Sequence, residues 1–222
     1  GFTASVMTAE HPDPTGYGRI IRGDDASLLR IVEERDADEI QRDIIEVNSG
    51  VYAFDAAKLA SAIGKLKNDN SQGELYLTDV IEILRNEGGK IAAVLIDDFI
   101  EILGVNDRVQ LAESASLLRD RINEDLMKSG VTIVDPLSTW VDATATIAPD
   151  VVLAPGTAIH GATTIASGAV IGPRTTLIDC TVAANARVLE SQCTEAVIGE
   201  GVNVGPYSYL RAGTKLLNGS KV

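Results

Sequence analysis

Aromatic residues are scarce: three Phe, five Tyr and one Trp make up 4% of the 222 residues, so any core has to be aliphatic. Cysteine and histidine are scarcer, with two of each: Cys180, Cys193, His11 and His160. They have no metal-type spacing and do not make a convincing zinc site. The cysteines read as two reduced thiols of a cytoplasmic protein. No apolar run approaches the ~18–20 residues of a membrane span, and no signal peptide is recognisable. Positive charge is not in excess: the balance is -13, which argues against nucleic acid or an anionic membrane as a partner. A phosphorylated substrate stays open, because a local site or a metal ion overrides the global sign. A Gly-rich phosphate loop is missing, and Gly16-Tyr17-Gly18 is only a two-glycine turn. No Ser/His/Asp or Cys/His arrangement stands out. The chain opens on Gly1, not Met, and is expected to be an internal piece of something longer.

Hydrophobic residues make up 45% of the chain, enough for packed cores rather than disorder. The acidity is uneven. Residues 1–140 carry a balance of -12 and residues 141–222 one of -1, a first sign of two domains.

The strongest pattern is a repeat. From Val141, steps of six reach Ile147, Leu153, Ile159, Ile165, Ile171 and Leu177 without a miss. Four residues after each stands a small or β-branched side chain: Ala145, Val151, Thr157, Thr163, Ala169, Thr175 and Thr181. The phase slips after Leu177 and resumes at Ile198, Val204, Leu210, Leu216 and Val222. A period of six fits neither a helix nor a hairpin sheet. It fits a triangular coil with one wall per repeat, whose inward aliphatics stack at the ~4.8 Å spacing of paired strands. Gly and Asn supply the positive φ of the corners. The expected fold is a left-handed parallel β-helix. The stretch 182–197, out of phase, reads as a loop or distorted coil.

Upstream, Thr3–Thr8, Leu29–Glu33, Ile45–Phe54 and Lys90–Ile96 look extended. Asp55 is placed to cap a helix with Leu59, Ile63 and Leu66 on its apolar face. A second helix spans about Thr78–Arg85, with Leu77, Val80, Ile81 and Leu84 on one side. The alternation predicts an α/β domain with a mixed sheet. A longer helix starts near Asn106, with Leu111, Ala115, Leu118, Ile122 and Leu126 at nearly heptad spacing, and stops at Gly130. It reads as an arm between two domains. Residue chemistry alone reaches this architecture, α/β plus all-β, and no reaction.

Several strings carry more. They are Asp13-Pro14-Thr15-Gly16-Tyr17-Gly18-Arg19-Ile20, Ile31-Val32-Glu33-Glu34-Arg35-Asp36-Ala37, Glu46-Val47-Asn48-Ser49-Gly50-Val51-Tyr52, Gly73-Glu74-Leu75-Tyr76-Leu77-Thr78-Asp79 and Gly104-Val105-Asn106-Asp107-Arg108-Val109-Gln110-Leu111. In this order and followed by a hexapeptide repeat, the chain resembles the bifunctional N-acetylglucosamine-1-phosphate uridyltransferase/glucosamine-1-phosphate N-acetyltransferase (GlmU) family. The resemblance implies part of a Rossmann-like nucleotidyltransferase domain at 1–105, a linker with the helical arm at 106–138, and the start of a β-helix acetyltransferase domain at 139–222. It implies synthesis of UDP-N-acetylglucosamine from glucosamine-1-phosphate, acetyl-CoA and UTP with Mg2+, in a cytoplasmic homotrimer. Gly18, Glu33, Asn48 and Asn106 would line the UDP-sugar pocket, Asn106 would also hold Mg2+, and Arg211 would bind the sugar phosphate of the acetyltransferase site. The catalytic groups would lie outside these residues. Asp107 departs from the second Asn common at its place in the family. The plainer readings stay open beside these: a turn glycine, a solvated carboxylate, a backbone-bonded amide, a helix N-cap at Asn106 and a corner arginine. Another sugar-nucleotide pyrophosphorylase with a β-helix tail is the alternative family reading.

Overall fold

Five strands of the first part form a mixed sheet: β1 (Ala4–Glu10), β2 (Arg19–Arg22), β3 (Leu28–Val32), β4 (Glu46–Phe54) and β5 (Ile91–Ile96), in the order β3-β2-β4-β1-β5. Only β1 and β5 run parallel; the other pairs are antiparallel. The structure is a computed structural model that describes residues 1–105 and 107–222. It divides into two units, Gly1–Gly104 and Val105–Val222.

Three α-helices, α1 (Glu39–Arg42), α2 (Ala56–Ile63) and α3 (Asp79–Asn86), and a 3-10 turn at Phe99–Ile102 accompany the sheet. Asp55 caps α2, accepting from the Lys58 amide at 3.0 Å. Ala62 of that helix is buried, and Leu59 and Leu66 pack beside it. Ile63, expected on the same face, is 48% exposed, because the helix ends there and Leu66 lies beyond it. Val80, Ile81 and Leu84 of α3 are buried with Val6, Ile20, Leu28 and Ile31. Leu77 precedes the helix and stays exposed. Strand β2 was not among the expected elements. Two isoleucines between two arginines are too short to show a period.

The second unit opens with α4 (Arg108–Lys128), capped by Asp107, whose carboxylate accepts from the Gln110 amide at 2.8 Å. The helix thus starts two residues after the expected Asn106. Leu111 and Leu118 are exposed, and only Ile122 and Leu126 of the heptad-like series pack on the core of the unit. The buried Asn123 amide donates to Pro136 O at 3.0 Å and Thr139 O at 2.9 Å, tying the helix to the chain beneath it.

Fifteen short strands then build a left-handed parallel β-helix with three walls of five strands each. One wall takes β6 (Thr132–Ile133), β9 (Val152–Leu153), β12 (Val170–Ile171), β15 (Arg187–Val188) and β18 (Asn203–Val204). A second takes β7 (Trp140–Val141), β10 (Ala158–His160), β13 (Thr176–Ile178), β16 (Gln192–Thr194) and β19 (Tyr209–Leu210). The third takes β8 (Thr146–Ile147), β11 (Thr164–Ile165), β14 (Thr181–Val182), β17 (Val197–Ile198) and β20 (Lys215–Leu216). The second residue of each two-residue strand points inward and stacks on its counterpart one coil away, as Leu153, Ile171, Val188 and Val204 do. Buried Thr157 and Thr163 hydroxyls donate to Ala154 O and His160 O, both at 2.7 Å, so no polar cost is left at the corners.

Residues 182–197 are neither loop nor distortion. They form β14 to β17 in register with the coils on either side. The phase slips because three corners are one residue shorter. Asp179, Glu190 and Glu195 adopt φ of +50°, +44° and +45°. Each is followed by a buried small residue, Cys180, Ser191 or Ala196, one place earlier than in a six-residue step. Thr181, expected inward, therefore faces out. Cys180 and Cys193 are free and buried in the core. Burial pushes the Cys193 thiol up to about 12.

Two outcomes follow from this packing. Ile171→Ala is expected to cost ~2–5 kcal/mol, read from the denaturant midpoint of the β-helix unit, because neighbours held in the wall ladder cannot collapse into the gap. In the sheet, Arg22 grips Glu46 through two bonds of 2.7 and 2.6 Å, and the Thr8 hydroxyl adds a third at 2.7 Å. Burial raises the Glu46 carboxyl, but these partners outweigh it and leave the group below its ordinary value. A depressed folded value stabilises above the unfolded one and is lost as pH falls through it. Glu46→Gln is expected to lower stability by about 1 kcal/mol at neutral pH and to flatten the acid limb of the stability curve below pH ~4.5, as read by melting temperature against pH.

Candidate functional site

Four of the five quoted strings meet at one corner of the sheet. The first ends in β2, the second spans the end of β3, the third is the start of β4, and the fourth runs into α3. The Asn48 amide N–H donates to Gly18 O at 2.8 Å, joining the first string to the third.

A bulge aims the side chains of β4. Val6 pairs with Tyr52, yet Thr8 pairs with Asn48, so β4 carries two residues more than β1 over this interval. Gly50 takes φ +78° there. Its amide donates to Asn48 Oδ1 at 3.0 Å, and the Ser49 hydroxyl donates to Met7 O at 2.7 Å. Such bulges redirect side chains at functional edges.

Gly18 faces the two polar residues directly. A Cβ there would stand 3.0 Å from Ile31 Cγ2, 3.4 Å from Glu33 Oε2 and 3.6 Å from Asn48 Cβ. Glu33 receives the Thr78 hydroxyl on Oε1 at 2.8 Å. Tyr52 closes the corner: burial pushes its hydroxyl up to about 12, with the Asn48 side chain opposing and the Glu33 charge adding to the shift. The adjacent Glu34 goes elsewhere. It pairs with buried Arg19 at 2.7 Å and accepts from the Gly16 amide at 3.3 Å. Arg19 also donates to Tyr17 O and to Arg42 O. The glycine turn is thus clamped from below, while Glu33 faces the open side.

The corner offers a carboxylate acceptor, an amide and a bare backbone, a set suited to sugar hydroxyls and an acetamido group. Glu33 also borders a cavity of about 400 Å³, shared with Asp36, Asp38, Asp69, Tyr76 and Asp79. Burial, with Glu82, Glu33 and Asp36 nearby, holds the Asp79 carboxyl above its ordinary value. Carboxylates outnumber the one guanidinium, Arg30, in this lining, a balance that disfavours phosphate there.

Asn106 lies outside the described residues. Asp107 beside it is the cap of α4. Arg211 belongs to the second unit, exposed in the turn after β19, where its carbonyl accepts from the Thr214 amide at 3.1 Å. Among the described residues no group of three or more His, Cys, Asp or Glu could hold a metal ion. None of the described helices is long and apolar enough to cross a membrane. Thr78, Tyr52 and the Arg19–Glu34 pair stood inside the quoted strings without a role, since nothing local shows that they face one another.

No protein-family model matches the chain. Curated relatives do. The chain is 52% identical over its whole length to the bifunctional protein GlmU of Streptomyces coelicolor, of which it covers 46%. It is 54% identical over 96% of its length to the protein of that name from Mycolicibacterium vanbaalenii, covering 43% of it. The bifunctional protein GlmU of Corynebacterium efficiens is 50% identical over 96% of the chain, with 44% covered. The chain belongs to the GlmU family. It spans a little under half the length of these GlmU relatives.

Gly18→Ala is expected to destabilise the GlmU-type sheet by ~1–3 kcal/mol, read by denaturant midpoint, since the new methyl meets Ile31 in a buried strand and cannot be relieved by a surface side chain.

Proposed function

We propose that the protein containing this chain makes UDP-N-acetylglucosamine. It acetylates the amine of glucosamine-1-phosphate with acetyl-CoA, releasing CoA. It then joins N-acetylglucosamine-1-phosphate to UTP: the sugar phosphate oxygen attacks the α-phosphorus and pyrophosphate leaves. The observation that carries the reading is the convergence of Gly18, Glu33 and Asn48 at one corner, in a chain that also carries a β-helix.

In this reading Glu33 and Asn48 bind the hydroxyls and acetamido group of the sugar, and Gly18 lets the ring approach the backbone. Arg211 meets the phosphate of the sugar in the acetyl-transfer site, where a guanidinium matches phosphate geometry. A bound Mg2+ would supply charge neutralisation at the triphosphate. The described residues do not by themselves form its site, and Asn106 is proposed as the chain's own ligand to it, an amide oxygen being an acceptable hard donor. The groups that carry out both chemical steps are assigned to the parts of the longer relatives that this chain does not span, so the chain alone is expected to lack both activities. A cytoplasmic homotrimer is the proposed assembly.

The test is pyrophosphate release by the full-length protein given UTP, Mg2+ and glucosamine-1-phosphate, with and without acetyl-CoA. Release that depends on acetyl-CoA is the expected result. Release from glucose-1-phosphate and a nucleoside triphosphate, indifferent to acetyl-CoA, would replace this reading by that of a simpler sugar-nucleotide pyrophosphorylase and remove the role of Arg211.

A further inference from the structure

The string Gly73–Asp79 has no part in the sugar reading above, yet it sends a side chain into the same corner. Thr78 stands at the start of α3, where a threonine ordinarily caps the helix by accepting from a backbone N–H one turn on. That bond is not made. Thr78 has φ -60° and ψ -29°, already helical, and its hydroxyl instead donates to Glu33 Oε1 at 2.8 Å, across 45 residues of sequence. The residue is 5% exposed, so water does not compete for the hydroxyl. The helix behind it is anchored by buried Val80, Ile81 and Leu84, which makes α3 a rigid mount.

The consequence falls on Glu33. With Oε1 held by Thr78, the other oxygen, Oε2, is the one 3.4 Å from the missing Cβ of Gly18. A glutamate side chain free in solvent samples many rotamers and pays for ordering when a ligand arrives. We propose that Thr78 is a positioning residue for sugar recognition, locking the Glu33 carboxylate so that Oε2 faces the space over Gly18 before substrate binds. This rests on the reading of that corner as the sugar subsite.

The test is a double-mutant cycle in the full-length protein, read by calorimetric Kd for UDP-N-acetylglucosamine and by KM and kcat of pyrophosphate release. Thr78→Val keeps the shape and removes the donor. It is expected to raise Kd, and KM for N-acetylglucosamine-1-phosphate, about tenfold, the size of one hydrogen bond to a charged group, with KM for UTP unchanged. Thr78→Ser is expected to stay within about twofold of the parent, since it restores the donor. In a Glu33→Ala background Thr78→Val is expected to add nothing, because the two act as one unit. Should valine disturb the helix start, as seen by circular dichroism, Thr78→Ala serves in its place. An unchanged sugar KM in Thr78→Val beside a weakened Glu33→Ala would overturn the positioning role alone. So would full additivity of the two changes, or a serine variant as impaired as the valine one. An unchanged Kd in Glu33→Ala would remove the sugar subsite itself, and the positioning role with it.

Discussion

Backbone hydrogen bonding between neighbouring strands is the constraint on which both units depend. A buried peptide group left unpaired costs as much as a lost hydrogen bond, so each strand has to lie in register with the next. In the β-helix this fixes one coil above another, and inward side chains such as Leu153, Ile171 and Val188 are stacked as a result. In the sheet it brings the Asn48 amide to Gly18 O and so holds two distant strings together. Where the ladder yields, at the bulge of β4, side chains bond the freed backbone: Asn48 Oδ1 to Gly50 and the Ser49 hydroxyl to Met7.

The corner of the sheet separates two consecutive glutamates by environment. Glu34 lies beside the buried guanidinium of Arg19 and serves the turn. Glu33 has the Thr78 hydroxyl on one oxygen and Gly18 opposite the other. The chain leaves β3 after Val32 and turns, the Asp36 and Ala37 amides both donating to Glu33 O, and the turn sends one carboxylate to the glycine loop and leaves the other able to meet a ligand. The acidic cavity next to Glu33 adds a sign preference that the overall charge of -13 only hints at.

The exact six-residue steps from Val141 to Leu177 made the β-helix legible, since no other architecture repeats at that interval. The same rule misread residues 182–197, because a corner with Asp179, Glu190 or Glu195 at positive φ closes one residue sooner and the inward position moves with it. Leu111 and Leu118 share the nearly heptad spacing of Ile122 and Leu126 but are exposed. Spacing marks which residues share a helix face, and not how far along the helix a partner extends. The cap at Asp107 in place of Asn106 is a one-residue difference between two side chains that cap equally well.

Composition and period by themselves determined that the cores are aliphatic, that the rear part is a coil built mostly on six-residue steps, and that the front part mixes strands and helices. These follow from local chemistry, because side-chain size and spacing act within a few residues. Tertiary structure alone decided which carboxylate faces Gly18, that Thr78 serves Glu33 instead of its own helix, and that buried Arg19 pairs with Glu34. Each of those joins residues 15 to 45 positions apart, and only the register of the strands, with α3 packed on β3, brings such residues within reach.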